Sequence, residues 1–206
     1  MKTLELNKTQ QHTVDRLNNT ELQHINFDWM SITELFPDDV YTQLSRMNNT
    51  NLSKSVLDIF DNENFVKALY NKFTGPVRSD TISSIYTFWQ LAGTGYSLNP
   101  HVDSYPRVFS MVLYFPENDD YPHVGTAIYE ADPQTKVYQT LEISPYIRNS
   151  CLIIAPYENL TWHGVNMVKE DIQRRSVVCV FSDKEWNHNE RYYADWKPGK
   201  NVNYGI

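Results

Sequence analysis

Two cysteines in 206 residues, Cys151 and Cys179, are too few for a disulfide framework. Each sits inside an apolar run, the setting of a reduced core thiol. No stretch approaches the roughly 18 consecutive apolar residues that a membrane span needs. Basic residues are also scarce: 18 Lys and Arg stand against 25 Asp and Glu, a formal net charge of −7. Neutralising phosphates takes clustered cations, so this balance argues against nucleic acid or an anionic membrane as partner. Residues 1–18 carry no apolar run after Lys2, and the expectation is a chain that is not exported and works in the cytoplasm. Internal repeats and low-complexity tracts are absent as well.

What the chain does have is an apolar fraction of 41% and an aromatic fraction of 14%, with 14 Tyr and 9 Phe. That is enough for a real core and too apolar for a disordered chain. The pattern divides the sequence in three. Residues 1–80 read as helical. Asp38 and Asp39 follow Pro37 in a first turn, with Val40, Leu44 and Met47 on one face. Ser53 to Phe60 repeats the helical spacing. Asp61 is the expected N-cap of a third helix bearing Phe65, Leu69 and Phe73, which Gly75-Pro76 stops. From about Thr81 to Asp183 the period becomes two, and seven runs read as strands: Ile85–Trp89, Val108–Phe115, Thr126–Tyr129, Val137–Leu141, Cys151–Ala155, Leu160–Val165 and Ser176–Phe181. Many short strands preceded by helices predict a mostly β fold, a sandwich or barrel with helices backing one face. Residues 184–206, with Trp186, Tyr192, Tyr193 and Trp196, read as a tail docked on the core of a single domain.

Of the six histidines, His12, His24 and His123 read as surface residues. His101 differs, because Asp103 follows two residues later and in extended chain the two side chains point to one side. His163 stands in a later strand. Two histidines and one carboxylate that leave coordination positions open are the donor set of non-haem Fe(II) oxygenases. The spacing His-x-acid is weak by itself: fewer than one match is expected by chance at this composition and two occur, the other being His188-Asn189-Glu190 in the tail. The surroundings strengthen the first. Taking residues 169–172 as a hairpin loop places Arg174, Ser176 and Val178 on the face that His163 uses, with Arg174 roughly 13 Å from the metal position at strand rise. Arg175 then faces the other way, unless a bulge reverses the parity. Tyr114, on the strand after Asp103, can donate a phenolic hydrogen bond inside a barrel. Arg107 can pair on the surface or grip an acidic substrate.

The run Gly93-Thr94-Gly95-Tyr96, His101-Val102-Asp103, Arg107 to Phe115, Gly125-Thr126, Trp162-His163-Gly164-Val165 and Arg174-Arg175-Ser176 resembles the Fe(II)/2-oxoglutarate-dependent dioxygenases, most of all their prolyl-hydroxylase-like branch. The resemblance spans about Thr81 to Asp183. It implies a double-stranded β-helix, or jelly roll, braced by helices, with His101, Asp103 and His163 holding Fe(II). It implies further that 2-oxoglutarate chelates the iron and places its C5 carboxylate on Arg174, assisted by Ser176 and Tyr114. The implied reaction consumes O2, releases succinate and CO2, and hydroxylates a small-molecule, peptidyl or carrier-bound substrate. The retained Asp103 favours hydroxylation over halogenation. One departure stands out: about ten residues before the first histidine the branch often has a tyrosine, and this chain has Trp89-Gln90-Leu91. Two other readings remain in view, a metal-dependent cupin-like enzyme that does not use 2-oxoglutarate and a non-catalytic jelly-roll binding protein. The first usually gathers more histidines, and the second leaves Arg174 and Tyr114 unexplained.

Overall fold

In a computed structural model of the chain, residues 3–132, 135, 137–184 and 202–205 are described. Four helices come early, α1 (Thr3–Asn19), α2 (Asp38–Ser45), α3 (Asn49–Phe60) and α4 (Glu63–Lys72). The strands are β1 (Gln23–His24), β2 (Asp28–Thr33), β3 (Ser84–Ala92), β4 (Leu98–His101), β5 (Arg107–Tyr114), β6 (Thr126–Asp132), β7 (Val137–Ser144), β8 (Ser150–Ile154), β9 (His163–Val165), β10 (Arg174–Ser182) and β11 (Val202–Gly205). They form two antiparallel sheets, one in the order β1-β2-β8-β5-β10-β3-β11 and one in the order β4-β9-β6-β7.

The large sheet is buried on both faces, and alternation along its strands sorts the residues. Phe109, Met111 and Leu113 of β5, Cys151 and Ile153 of β8, and Val177, Cys179 and Phe181 of β10 join one core with Leu44, Leu52, Val56, Phe60, Phe65 and Leu69 of the helices. The intervening residues turn the other way. Tyr114, Leu152, Ile154 and Ala92 pack there with Ile128 of β6 and Val165 of β9, which closes a second core between the sheets. Burial of this two-sided kind explains why β5, β8 and β10 read as nearly continuous apolar runs rather than as alternating ones. Both cysteines are free and buried on the helical side, and burial pushes their thiols up.

The structure corrects several local expectations. Helix α3 begins at Asn49, four residues before the expected Ser53, because the Asn48 side chain accepts from the Asn51 amide at 2.9 Å and caps it. Asn62, not Asp61, caps α4, accepting from the Asn64 amide at 2.9 Å. Helix α1 and strands β1, β2, β4 and β11 were not singled out from the sequence, and two of them show why. Helix α1 buries Thr9 and Thr13 beside Val14 and Leu17, so its inner stripe is half polar and shows no apolar period. Strand β2 lies within the segment read as helical, and pairing with β8 decides its state. The run Leu160–Val165 is strand only from His163. The tail residues 185–201 lie outside the described residues, while the backbone of β11 pairs with β3 from Val202↔Ala92 to Gly205↔Trp89.

The hairpin assumed between His163 and Arg174 does not exist. Strand β9 pairs with β4 and β6 in the small sheet, whereas β10 lies between β5 and β3 in the large one. Arg174 nevertheless points between the sheets, because β10 is a central strand whose odd residues meet the helices and whose even residues do not.

Candidate active site

His101 and His163 are brought together by register. Strands β4 and β9 are antiparallel, with His101 opposite His163, and the two rings stand 4.4 Å apart at their centroids. That pairing needs Gly164: a Cβ there would lie 2.5 Å from the Leu98 carbonyl oxygen and 3.1 Å from that of Asn99. Each imidazole turns its Nδ1 to a backbone carbonyl two residues earlier, His101 to Asn99 at 3.0 Å and His163 to Thr161 at 2.9 Å. A carbonyl can only accept, so Nδ1 carries the proton in both rings and the two Nε2 lone pairs face the centre.

Asp103 completes the group from the loop after β4. Its Oδ1 lies 3.8 Å from His101 Nε2 and its Oδ2 lies 3.7 Å from His163 Nε2. The carboxylate is oriented by β5, where the Ser110 hydroxyl donates to Oδ2 at 2.6 Å and Arg107 Nη1 donates to Oδ1 at 2.5 Å. Burial pushes the Asp103 carboxyl up, but Arg107, His163, His101 and the Ser110 hydrogen bond outweigh it and hold the group well below the usual carboxylate range. For His163, burial and then the neighbouring His101 push the imidazole down to about 4 against the pull of Asp103. At neutral pH the site therefore presents one carboxylate and a neutral buried imidazole. His101, Asp103 and His163 bring one ligand atom each within 4.8 Å of one another. Two backbone-oriented imidazoles and one carboxylate on a single side fit a divalent transition metal such as Fe(II) and leave its remaining positions open. Arg107 thus lies at the centre, paired with Asp103, and not on the surface.

Along the inner face of the large sheet, Ser110 marks the metal end and Tyr114 lies four residues further, about 13 Å at strand rise. There Arg174 is buried at 1% exposure. Its Nε donates to the Val124 carbonyl at 2.8 Å, Nη1 to Ser176 Oγ at 3.3 Å and Gln90 Oε1 at 3.4 Å, and Nη2 to Thr126 Oγ1 at 3.3 Å. The rings of Tyr114 and Tyr146 lie 5.4 and 5.7 Å from its guanidinium carbon. Among the described residues, no carboxylate pairs with this guanidinium. The Tyr114 hydroxyl donates to Thr126 Oγ1 at 2.8 Å. Thr126 is placed by Gly125, where any Cβ would collide with the Ser144 carbonyl. All six residues singled out in the sequence thus fall at two ends of one inter-sheet space: His101, Asp103 and His163 at one, Tyr114, Arg174 and Ser176 at the other. Arg175 faces the helical layer on the other side of the sheet, donating from Nε to Asn49 Oδ1 at 2.8 Å and from Nη1 to the Ser45 carbonyl at 2.7 Å at the end of α2.

Gln90, Tyr146 and Val124 were missed. Gln90 lies in the Trp89-Gln90-Leu91 stretch that departs from the resembled branch. Its amide nitrogen donates to the Tyr96 hydroxyl at 2.9 Å while its oxygen faces Arg174 and Ser176. A polar residue within the run Thr87–Ala92 was the available signal. The Val124 contact is made by a backbone carbonyl, which no side-chain pattern announces.

No family model matches the sequence, and no curated protein matches it. Solved structures do. The chain is similar to a prolyl-4-hydroxylase from Pseudomonas putida, at 17% identity and a TM-score of 0.53, covering 84% of this chain and 93% of that one. It is also similar to a prolyl hydroxylase from Trichoplax adhaerens, solved with a peptide fragment of the hypoxia inducible factor oxygen degradation domain. That match has 14% identity, a TM-score of 0.50, and covers 89% of this chain and 94% of that one. The shared feature is the fold: this chain is a double-stranded β-helix braced by helices.

Proposed function

We propose that the protein is an Fe(II)- and 2-oxoglutarate-dependent dioxygenase that hydroxylates its substrate and releases succinate and CO2. The observation that carries this reading is the buried Arg174, a guanidinium with no carboxylate partner among the described residues, about 13 Å along the same inner face from a His–Asp–His group. A buried cation is stable in a fold only when something compensates it. A dicarboxylate that reaches from the metal to Arg174 does so, and a cupin-like metal enzyme or an empty jelly roll has no use for the arrangement.

In this reading His101, Asp103 and His163 hold Fe(II), which supplies O2 activation coupled to decarboxylation of 2-oxoglutarate when both are bound. The chain's own work is positional. Ser110 and Arg107 fix which way the Asp103 carboxylate points. The Asn99 and Thr161 carbonyls fix the tautomers of the two histidines. Arg174, Ser176, Thr126 and Tyr114 receive the C5 carboxylate, each hydrogen bond to that charge being worth about 1.5–3 kcal/mol. Val112 and Val178, paired across β5 and β10, form an apolar floor between the two ends. The substrate is a small molecule, a peptidyl residue or a carrier-bound intermediate. The Trichoplax neighbour was solved with a peptide, which supports the peptidyl case. Two free cysteines support a reducing, cytoplasmic setting.

The test is an anaerobic titration of metal-free protein with Fe(II) and then 2-oxoglutarate, watching the visible iron-to-oxo-acid charge-transfer band. The band is expected in the native chain, absent in His163→Ala, and shifted to far higher 2-oxoglutarate in Arg174→Leu. Stoichiometric Fe(II) binding with no band would transfer the site to the cupin-like reading.

A further inference from the structure

On the helical side of the large sheet, across β10 from Arg174, a cavity of about 320 Å³ is lined by Tyr41, Leu91, Phe115, Arg148, Gln173 and Arg175. That is the small end of ligand pockets, which run from roughly 300 to 1,000 Å³. Register builds its floor: Arg175 stands opposite Leu91 across β10 and β3, and the Phe115 amide donates to the Arg175 carbonyl at 3.0 Å. The walls are aromatic and cationic. The rings of Tyr41 and Phe115 stack with centroids 5.6 Å apart and planes at 8°. The Arg148 guanidinium carbon lies 5.6 Å from the first ring, and that of Arg175 lies 6.0 Å from the second. Both residues are held in place. Asn49 and the Ser45 and Met47 carbonyls fix the Arg175 guanidinium, and the Arg148 backbone amide donates to Asp119 Oδ1 at 2.5 Å. Glu117 also lines the cavity, yet among the described residues neither guanidinium forms an ion pair.

We infer that this cavity is a second binding site, separate from the metal group, and that it takes a small organic oxyanion, a carboxylate or a phosphate ester on a flat apolar body. The two guanidinia meet the charge, and Leu91, Tyr41 and Phe115 give the body an apolar wall. Of the five N–H groups of a guanidinium, Arg175 spends three on the end of α2 and the start of α3, which leaves two for a ligand. Arg148 is exposed and can turn its planar fork onto an oxyanion, and Gln173 adds an amide donor. Two bases against one acid make the lining net positive in a chain of net charge −7, so anions gather there and are repelled elsewhere.

The test uses full-length, metal-free protein, so its outcome does not depend on the oxygenase reading. Benzoate and phenyl phosphate share a ring and differ in the oxyanion. Each is titrated by saturation-transfer NMR into the native chain and into Arg174→Met, which removes the anion receptor between the sheets. At least one probe is expected to bind both proteins saturably, and the tighter one names the oxyanion. In the Arg174→Met background, Arg148→Met is expected to weaken it tenfold or more. Gln173→Glu, which adds a like charge to the wall, is expected to weaken it as well. Both side chains are exposed, and circular dichroism checks that each variant keeps the fold. If Arg174→Met does not fold, the same two variants are compared in the native chain. Acetate, which lacks the ring, is expected to bind at least tenfold more weakly, and equal affinity for acetate overturns the apolar body. Binding that is lost in a folded Arg174→Met belongs to the inter-sheet space and overturns the second site. So does the absence of saturable binding, or binding that Arg148→Met and Gln173→Glu leave unchanged.

Discussion

Replacing Arg174 by Met separates an anion receptor from a structural pillar. The guanidinium is 1% exposed and makes four hydrogen bonds, none of them to a carboxylate. Methionine has similar length and no charge to desolvate. In the ligand-free protein the change removes a buried, incompletely compensated charge, and replacements of that kind run from neutral to about 1–4 kcal/mol stabilising. It also strands the Val124 carbonyl, which costs about 1–3 kcal/mol. The two nearly cancel, so the ligand-free variant should melt within a few degrees of the native chain. The ligand response should differ sharply. At 100 times its Kd, 2-oxoglutarate stabilises the native protein by about 2.7 kcal/mol. For a domain of this size that is about 5–10 °C in Tm. Loss of a charge-assisted contact worth about 1.5–3 kcal/mol weakens binding by roughly 10–150-fold. At the same concentration the stabilisation then falls to about 0.3–1.4 kcal/mol. The assay is thermal unfolding under anaerobic conditions with Zn(II), with and without 2-oxoglutarate. An equal ligand-induced rise in both proteins, or a ligand-free variant that melts more than about 10 °C lower, would falsify the receptor role.

Ser110→Ala removes the 2.6 Å hydrogen bond to Asp103 Oδ2 and should weaken metal binding by about 10–100-fold while leaving the helical content intact, as read by competition with a chelating dye. Undiminished affinity would mean that Arg107 alone orients the carboxylate. Gly164→Ala puts a methyl 2.5 Å from the Leu98 carbonyl and must push β4 away from β9, parting His101 from His163. Stability should drop by about 1–3 kcal/mol by denaturant unfolding, and metal affinity should drop with it. Tyr146 is held up to about 12, first by burial, so its neutral form is favoured in the folded state over an unfolded value near 10. The stability that this contributes is complete below about pH 10 and is lost as pH rises towards 12. Absorbance at 295 nm should show a late-titrating step that shrinks in Tyr146→Phe, and a single tyrosine transition near pH 10 in the native chain would refute the assignment.

The two ends of the site were readable from sequence to different degrees, for reasons that lie in the residues. His101 and Asp103 announce themselves because their geometry is local: two positions apart in extended chain, they share a side whatever the fold. His163 joins them only through the β4–β9 register, which no local pattern encodes, and its place in the sequence reading leaned on the strand around Trp162 and on the resemblance. The helices α2 to α4 were legible from their apolar faces, although their caps were not, since Asn48 and Asn62 act through side-chain hydrogen bonds that any nearby polar residue imitates. Strand β2 escaped because its state is fixed by partners more than a hundred residues away on β8.

Arg174 shows how a right placement can follow from a wrong pairing. The assumed hairpin put it on the His163 face through β9, yet β9 and β10 belong to different sheets. The same parity is reached by another cause, the packing of β10 on the helices. Val177, Cys179 and Phe181 are the residues that the helical core demands, so Ser176 and Arg174 must turn to the other side. What lies on that side is the small sheet with His163, and the sheets meet there whether or not the two strands touch. A single-residue bulge between Arg174 and Val177 would have sent Arg175 inward instead, and the β10–β3 register runs unbroken from Arg174↔Ala92 to Ser182↔Ser84. The choice between the two arginines is therefore made by the regularity of one central strand. An insertion in β10 after Arg175 should exchange their roles, freeing Arg175 from Asn49 and moving Arg174 from Val124 toward the helices.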